Sequence, residues 1–77
     1  MNEYRKQKQE FVRDYLQPLL VEATRCEIIA VEYSETSDGD EIVTIYTGFG
    51  TSQIVVRVNM DSPMAICRDV FRALKDY

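Results

Sequence analysis

The 77-residue sequence predicts an α+β domain with the order α-β-β-β-α, a three-stranded antiparallel meander with two helices packed on one face. Three observations predict it. Apolar residues recur at helical spacing near both ends, β-branched residues alternate in three central runs, and the two turns joining those runs are too short for anything but antiparallel neighbours. Length permits a single domain spanning residues 1–77, and a hydrophobic content of 45% permits a core.

The first helix is read over residues 2–24. Tyr4, Lys8, Phe11, Val12, Tyr15, Leu16, Leu19, Leu20 and Ala23 form one stripe, with Arg5, Lys6, Gln9, Glu10, Arg13, Asp14 and Gln17 on the wet face. Pro18 lacks an amide donor and crowds the carbonyl of Asp14, which predicts a disturbance at residues 14–17. Strand one is read over 26–33, with Cys26, Ile28, Ala30 and Glu32 on one face and Glu27, Ile29, Val31 and Tyr33 on the other. Asp38-Gly39 marks the following turn, since glycine takes positive φ at no steric cost. Strands two and three are read over 41–47 and 52–59, joined through Gly48-Phe49-Gly50. The last helix, 63–75, has Ser62 as N-cap and Pro63 at its first position. Its apolar stripe is Ile66, Cys67, Val70, Phe71 and Leu74. The expected core contains Phe11, Tyr15, Leu19, Ile28, Ile45, Val56, Val70, Phe71 and Leu74.

Composition narrows the chemistry. The chain has no His and two Cys, so nitrogen–sulfur metal sites and Ser-His or Cys-His pairs cannot be assembled within it. No cofactor, metal or catalytic residue is expected, and no enzyme. Asp38-Gly39-Asp40-Glu41 lacks the spacing of a calcium loop. Gly48-Phe49-Gly50 precedes a strand rather than a helix and has no following Lys, so it is not a phosphate loop. Cys26 and Cys67 fall in apolar patterns and read as buried reduced thiols. No apolar run is long enough to span a membrane, and Met1 to Glu10 lacks the apolar region of a secretory signal, so a cytoplasmic location is expected.

Charge gives the strongest pointer. The net charge is −4, which argues against direct nucleic-acid binding. Residues 26–56 hold every excess acid and no basic residue. Glu32, Glu35, Asp38, Asp40 and Glu41 crowd into one short stretch. They read either as a solvated hairpin or as a negative knob for a protein partner with a basic surface, with Tyr33, Tyr46 or Phe49 as apolar anchor. Tyr33 and Tyr46, with Thr44 and Arg57, are candidates for the sheet face away from the helices. Strand one is apolar on both faces, and self-association through the open face or an edge, as a two-fold homodimer, would bury it.

The order α-β-β-β-α is shared with double-stranded RNA-binding domains. Those bind phosphates through a basic cluster at the start of the last helix. Here Ser62-Pro63-Met64-Ala65-Ile66-Cys67 carries no charge, which excludes that function. In element order, in its acidic segment Glu32 to Glu41, and in the passage through Asn59-Met60-Asp61-Ser62 into an amphipathic helix, the chain resembles small acidic phage and prophage proteins. Among these it is similar to an anti-CRISPR family that inhibits a type II effector nuclease. The resemblance implies a non-enzymatic inhibitor, working in the bacterial host cell, whose acids occupy a basic nucleic-acid-binding surface. A homodimeric accessory module with no nuclease partner is the other reading.

Overall fold

A computed structural model describes residues 2–48 and 52–75. The elements follow in the expected order. α1 (Glu3–Phe11), a wide π turn (Val12–Leu16) and α2 (Gln17–Ala23) form one N-terminal helix. Then come β1 (Ile28–Glu35), β2 (Glu41–Thr47), β3 (Gln53–Arg57) and α3 (Pro63–Leu74). The sheet is antiparallel in the order β1-β2-β3. The N-terminal helix packs against β1 and α3 against β3. Val12, Leu16 and Leu20 from the first helix and Ile66 and Val70 from α3 share one core with Ile28, Val31, Tyr33, Val43, Ile45, Val56 and Val58. Both helices therefore cover the same sheet face. No helix among the described residues is long and apolar enough to cross a membrane.

The disturbance before Pro18 is the π turn. The Gln17 amide donates five residues back to the Val12 carbonyl, one residue more than in an α-helix. The widening makes room for the proline ring where an α-turn would crowd it. It also resets the helix's phase. The buried line is Lys8, Val12, Leu16 and Leu20, spaced by four. In a regular α-helix each such step drifts by about 40°, and the wide turn removes most of the drift. Tyr15 (69% exposed) and Leu19 (54%) consequently stand on the flank instead of in the core. Phe11 packs partly against it, with its ring 5.8 Å from that of Tyr15. Phe71, also expected in the core, is exposed beside the buried pair Ile66 and Val70.

The first helix ends without a glycine. The Cys26 amide reaches back to the Val21 carbonyl (2.8 Å), and Arg25 and Cys26 both take positive φ. The Thr24 hydroxyl donates to the Leu20 carbonyl and accepts from the Ile28 amide. Two left-handed residues delay β1 to Ile28, two residues later than expected. Cys26 is thereby exposed, and Cys67 is only partly buried; both are free thiols.

β1 then carries an irregularity. Ile28 pairs with Thr47 but Ala30 with Tyr46, so Ile29 is an extra residue in a bulge. Gly48 lies against it; a Cβ there would meet the Ile29 side chain at 3.2 Å. The bulge reverses the alternation beyond it. Ile28, Val31 and Tyr33 all turn to the helices, and Ala30, Glu32 and Ser34 lie on the opposite face. At the β1–β2 turn, Gly39 has φ 87°, as the Asp-Gly pair requires.

Candidate functional site

The acidic segment does not form one surface. β1 and β2 place its members on different faces, and basic residues from the first helix take up part of it. Glu41 opens β2 on the helix-facing side and is buried. Its Oε2 accepts from Lys8 Nζ at 2.7 Å and from the Tyr33 hydroxyl, and its Oε1 accepts from the Met60 amide at 3.0 Å. Burial alone would raise the Glu41 carboxyl. These three donors outweigh it and bring the group down to about 2. Tyr33 is raised by burial and by donating to that carboxylate. Lys8 is itself buried, with its ammonium 4.5 Å from the Tyr4 ring centre.

Around this cluster the remaining acids are partly neutralised. Glu35 pairs with Arg5, whose guanidinium also stands 3.8 Å from Glu41. Asp40 accepts from Asn59 Nδ2 at 2.9 Å and lies 3.5 Å from Arg57. The Asn59 side chain in turn accepts from the Glu41 amide at 2.6 Å. Glu32 and Asp38 are exposed, and neither has an ion pair among the described residues. Tyr33 and Glu41, both expected at a partner surface, are therefore interior; the bulge at Ile29 turns Tyr33 inward, and Lys8 and Tyr33 hold Glu41 there. Phe49 lies outside the described residues.

The sheet face away from the helices is uncovered. Cross-strand register places Ala30, Tyr46 and Gln53 in one row, Glu32, Thr44 and Val55 in the next, and Ser34, Ile42 and Arg57 in the third. Tyr46, Thr44 and Arg57 thus share this face as expected, without Tyr33. Val55 is about half exposed there.

The two sheet edges differ. The outward Val31 amide of β1 donates to Gln17 Oε1 at 2.8 Å, so a helix side chain caps that edge. Between Gln9, Arg13 and Gln17 of the helix and residues 30–33 of β1 runs a shallow groove of about 400 Å³. On β3 the peptide groups of Gln53, Val55 and Arg57 point outward, since the Thr47–Ser52 and Glu41–Val58 hydrogen bonds turn residues 52, 54, 56 and 58 toward β2.

Sequence reasoning had one signal for the buried network: Lys8 falls on the apolar stripe of its helix. A cation on an apolar stripe needs a buried anion, and Glu41 supplies it. The cluster is a carboxylate, an ammonium and a phenol, each already engaged and shut off from solvent, so its role is to hold the first helix on the hairpin. Nothing among the protein-family models, the curated proteins or the solved structures matches this chain.

Proposed function

We propose that this protein is a non-enzymatic protein-interaction module, of the kind mobile elements encode, whose partner-facing surface is the open sheet face. The observation that carries the reading is the position of Glu32. It is an exposed acid with no ion pair among the described residues, in the middle row of an uncovered face, beside Thr44, with Val55 beyond it on β3 and Tyr46 one row away. An acid at the edge of a face that also carries Tyr46, Ile42 and Val55 suits a basic protein patch: the apolar contacts supply affinity, and the charge speeds encounter and rejects wrong partners. Asp38 at the hairpin tip extends the negative potential past the face.

The narrower form of the proposal follows the resemblance to anti-CRISPR inhibitors. In the cytoplasm of a bacterial host, this face would occupy the nucleic-acid-binding surface of a defence nuclease. The contacts would come from Glu32, Asp38 and Tyr46, since Tyr33 and Glu41 are interior and Glu35 and Asp40 are already paired. The test uses a purified, guide-loaded type II effector nuclease, with binding measured at low and high salt and target cleavage followed in parallel. The wild type should bind, more weakly at high salt, and block cleavage. Glu32→Lys with Asp38→Lys should lose both effects. No binding, or equal binding by the variant, sinks the nuclease form and leaves the accessory-module reading.

A further inference from the structure

We infer that the helical face is a second, self-complementary surface, through which two copies of this chain pair with the N-terminal helix of each against α3 of the other. This goes beyond the sheet-face reading and does not rest on it, because it uses the opposite side of the molecule.

The geometry follows from handedness. The N-terminal helix runs antiparallel to β1, as its contacts from Thr24–Ile28 through Gln17–Val31 to Arg5–Glu35 show. α3 doubles back over β3, which is parallel to β1, so the two helices run the same way. Right-handed helices that run the same way turn the residue after their buried line to the same side. For the N-terminal helix that side is the outer edge of β1, where Gln17 meets Val31. For α3 it is the inner side, so Cys67 and Phe71 look toward the first helix. The residues before the buried line of the first helix, Phe11, Tyr15 and Leu19, look back at them. Above β2 the two helices thus present facing apolar flanks, with Tyr15, Leu19 and Phe71 each about half exposed or more.

The outermost ridges carry opposite charge. Two residues past the buried line, the first helix shows Glu10, Glu22 and Asp14, the last paired with the neighbouring Arg13. The equivalent ridge of α3 shows Met64, Arg72 and Arg68, the last paired with the neighbouring Asp69, with Lys75 close by. A two-fold axis running along the helices, between these ridges, lays the acidic ridge of each copy on the basic ridge of the other and closes both apolar flanks at once. A second copy satisfies both ridges with the same contact, which is what an isologous interface requires. The area is adequate. Helices about 10 Å wide offer roughly 500 Å² of projected surface per copy, and the pair of faces reaches the roughly 1,000 Å² that a specific interface needs. The open sheet face, three strands about 4.8 Å apart, offers little more than half as much.

Sedimentation across a concentration series tests this. The wild type should reach twice the 9.0 kDa chain mass and dissociate as salt rises. Glu10→Lys with Glu22→Lys, and separately Arg72→Glu with Lys75→Glu, should each weaken the dimer at least about tenfold. Glu10, Glu22 and Arg72 are on helix surfaces and Lys75 follows the end of α3, and circular dichroism verifies that the variants fold. An equimolar mixture of the two variants should restore the dimer, because each reversed ridge then meets its opposite. Glu32→Lys should leave the dimer intact, which separates this surface from the sheet face. A wild type that stays monomeric overturns the inference. So does a dimer indifferent to both charge reversals, or one lost on Val55→Lys, which would place the contact on the sheet.

Discussion

Lys8 and Glu41 are 33 positions apart in the chain, and their charged groups meet at 2.7 Å with almost no solvent contact. This pair ties the first turns of the N-terminal helix to the start of β2. A buried ion pair adds little net stability over a well-packed apolar pair, but a single partner left behind is costly.

Lys8→Met should therefore leave the Glu41 carboxylate buried with the Tyr33 hydroxyl, the Met60 amide and the more distant Arg5 guanidinium, and should cost about 3 kcal/mol. Glu41→Gln strands the Lys8 ammonium at a similar cost. In the double substitution the amide oxygen accepts from Met60 and the amide nitrogen donates to the Tyr33 hydroxyl, so the loss should be clearly less than the two single losses combined. Urea unfolding of the three variants measures the coupling; strict additivity would mean that the pair does not act as a unit.

The pH profile has two opposing limbs. Glu41 titrates at about 2 in the fold against 4.5 in an open chain, so its contribution is complete above pH 4.5 and disappears as pH falls toward 2. Asp61 behaves in the opposite sense. Its Oδ2 is buried without a hydrogen-bond partner among the described residues. Burial, then the neighbouring Asp69, raises the group from 3.8 to about 6. The folded state holds that proton longer than the unfolded chain does, so stability declines as pH rises from 3.8 through 6. Thermal melting should show greatest stability at about pH 4–5. Asp61→Asn should flatten the upper limb and leave the acid limb in place.

Much of this architecture was legible in the sequence, and the failures have definite physical causes. Ser62 and Pro63 marked the start of α3, and Asp38-Gly39 marked a turn, because caps and positive φ are local requirements. Tyr15 and Leu19 were placed in the core because a 3.6-residue period was carried across Pro18. The wide turn at Val12–Leu16 changes that period, and only the hydrogen bonding shows it. Tyr33 was placed on the open face by strict alternation, which the bulge at Ile29 interrupts. Glu41 was counted as a surface acid because its partner, Lys8, is remote in sequence. The open face itself was read correctly for Thr44, Tyr46 and Arg57, which lie beyond any irregularity.

Gln17 offers a local test of edge protection. Gln17→Ala removes the acceptor for the Val31 amide, exposes that edge of the sheet and should cost about 1 kcal/mol. Hydrogen exchange at Val31 should accelerate well beyond its neighbours in β1, and the variant should aggregate more readily on prolonged incubation. Unchanged exchange at Val31 would show that the side chain does not guard the edge.

The two thiols should separate kinetically. Cys26 is exposed at the left-handed end of the first helix, whereas Cys67 is partly buried and raised by that burial. A disulfide-exchange reagent at neutral pH should modify Cys26 first and Cys67 in a slower phase. Cys26→Ser should remove the fast phase alone.

The wide turn also determines what the N-terminal helix could lose. Residues 12–16 contain one more residue than an α-turn would need, so a single deletion there could be absorbed by ordinary hydrogen bonding, with a shortening of only about 1.5 Å. The phase would survive as well. A deletion in a regular α-helix swings everything beyond it by about 100°, but here the return to α geometry restores most of that rotation, so Leu20 would stay on the core side and Gln17 near the Val31 amide. The extra residue works as slack: the helix can give it up in this one turn, whereas a deletion within Gln17–Ala23 would turn the wrong side to β1.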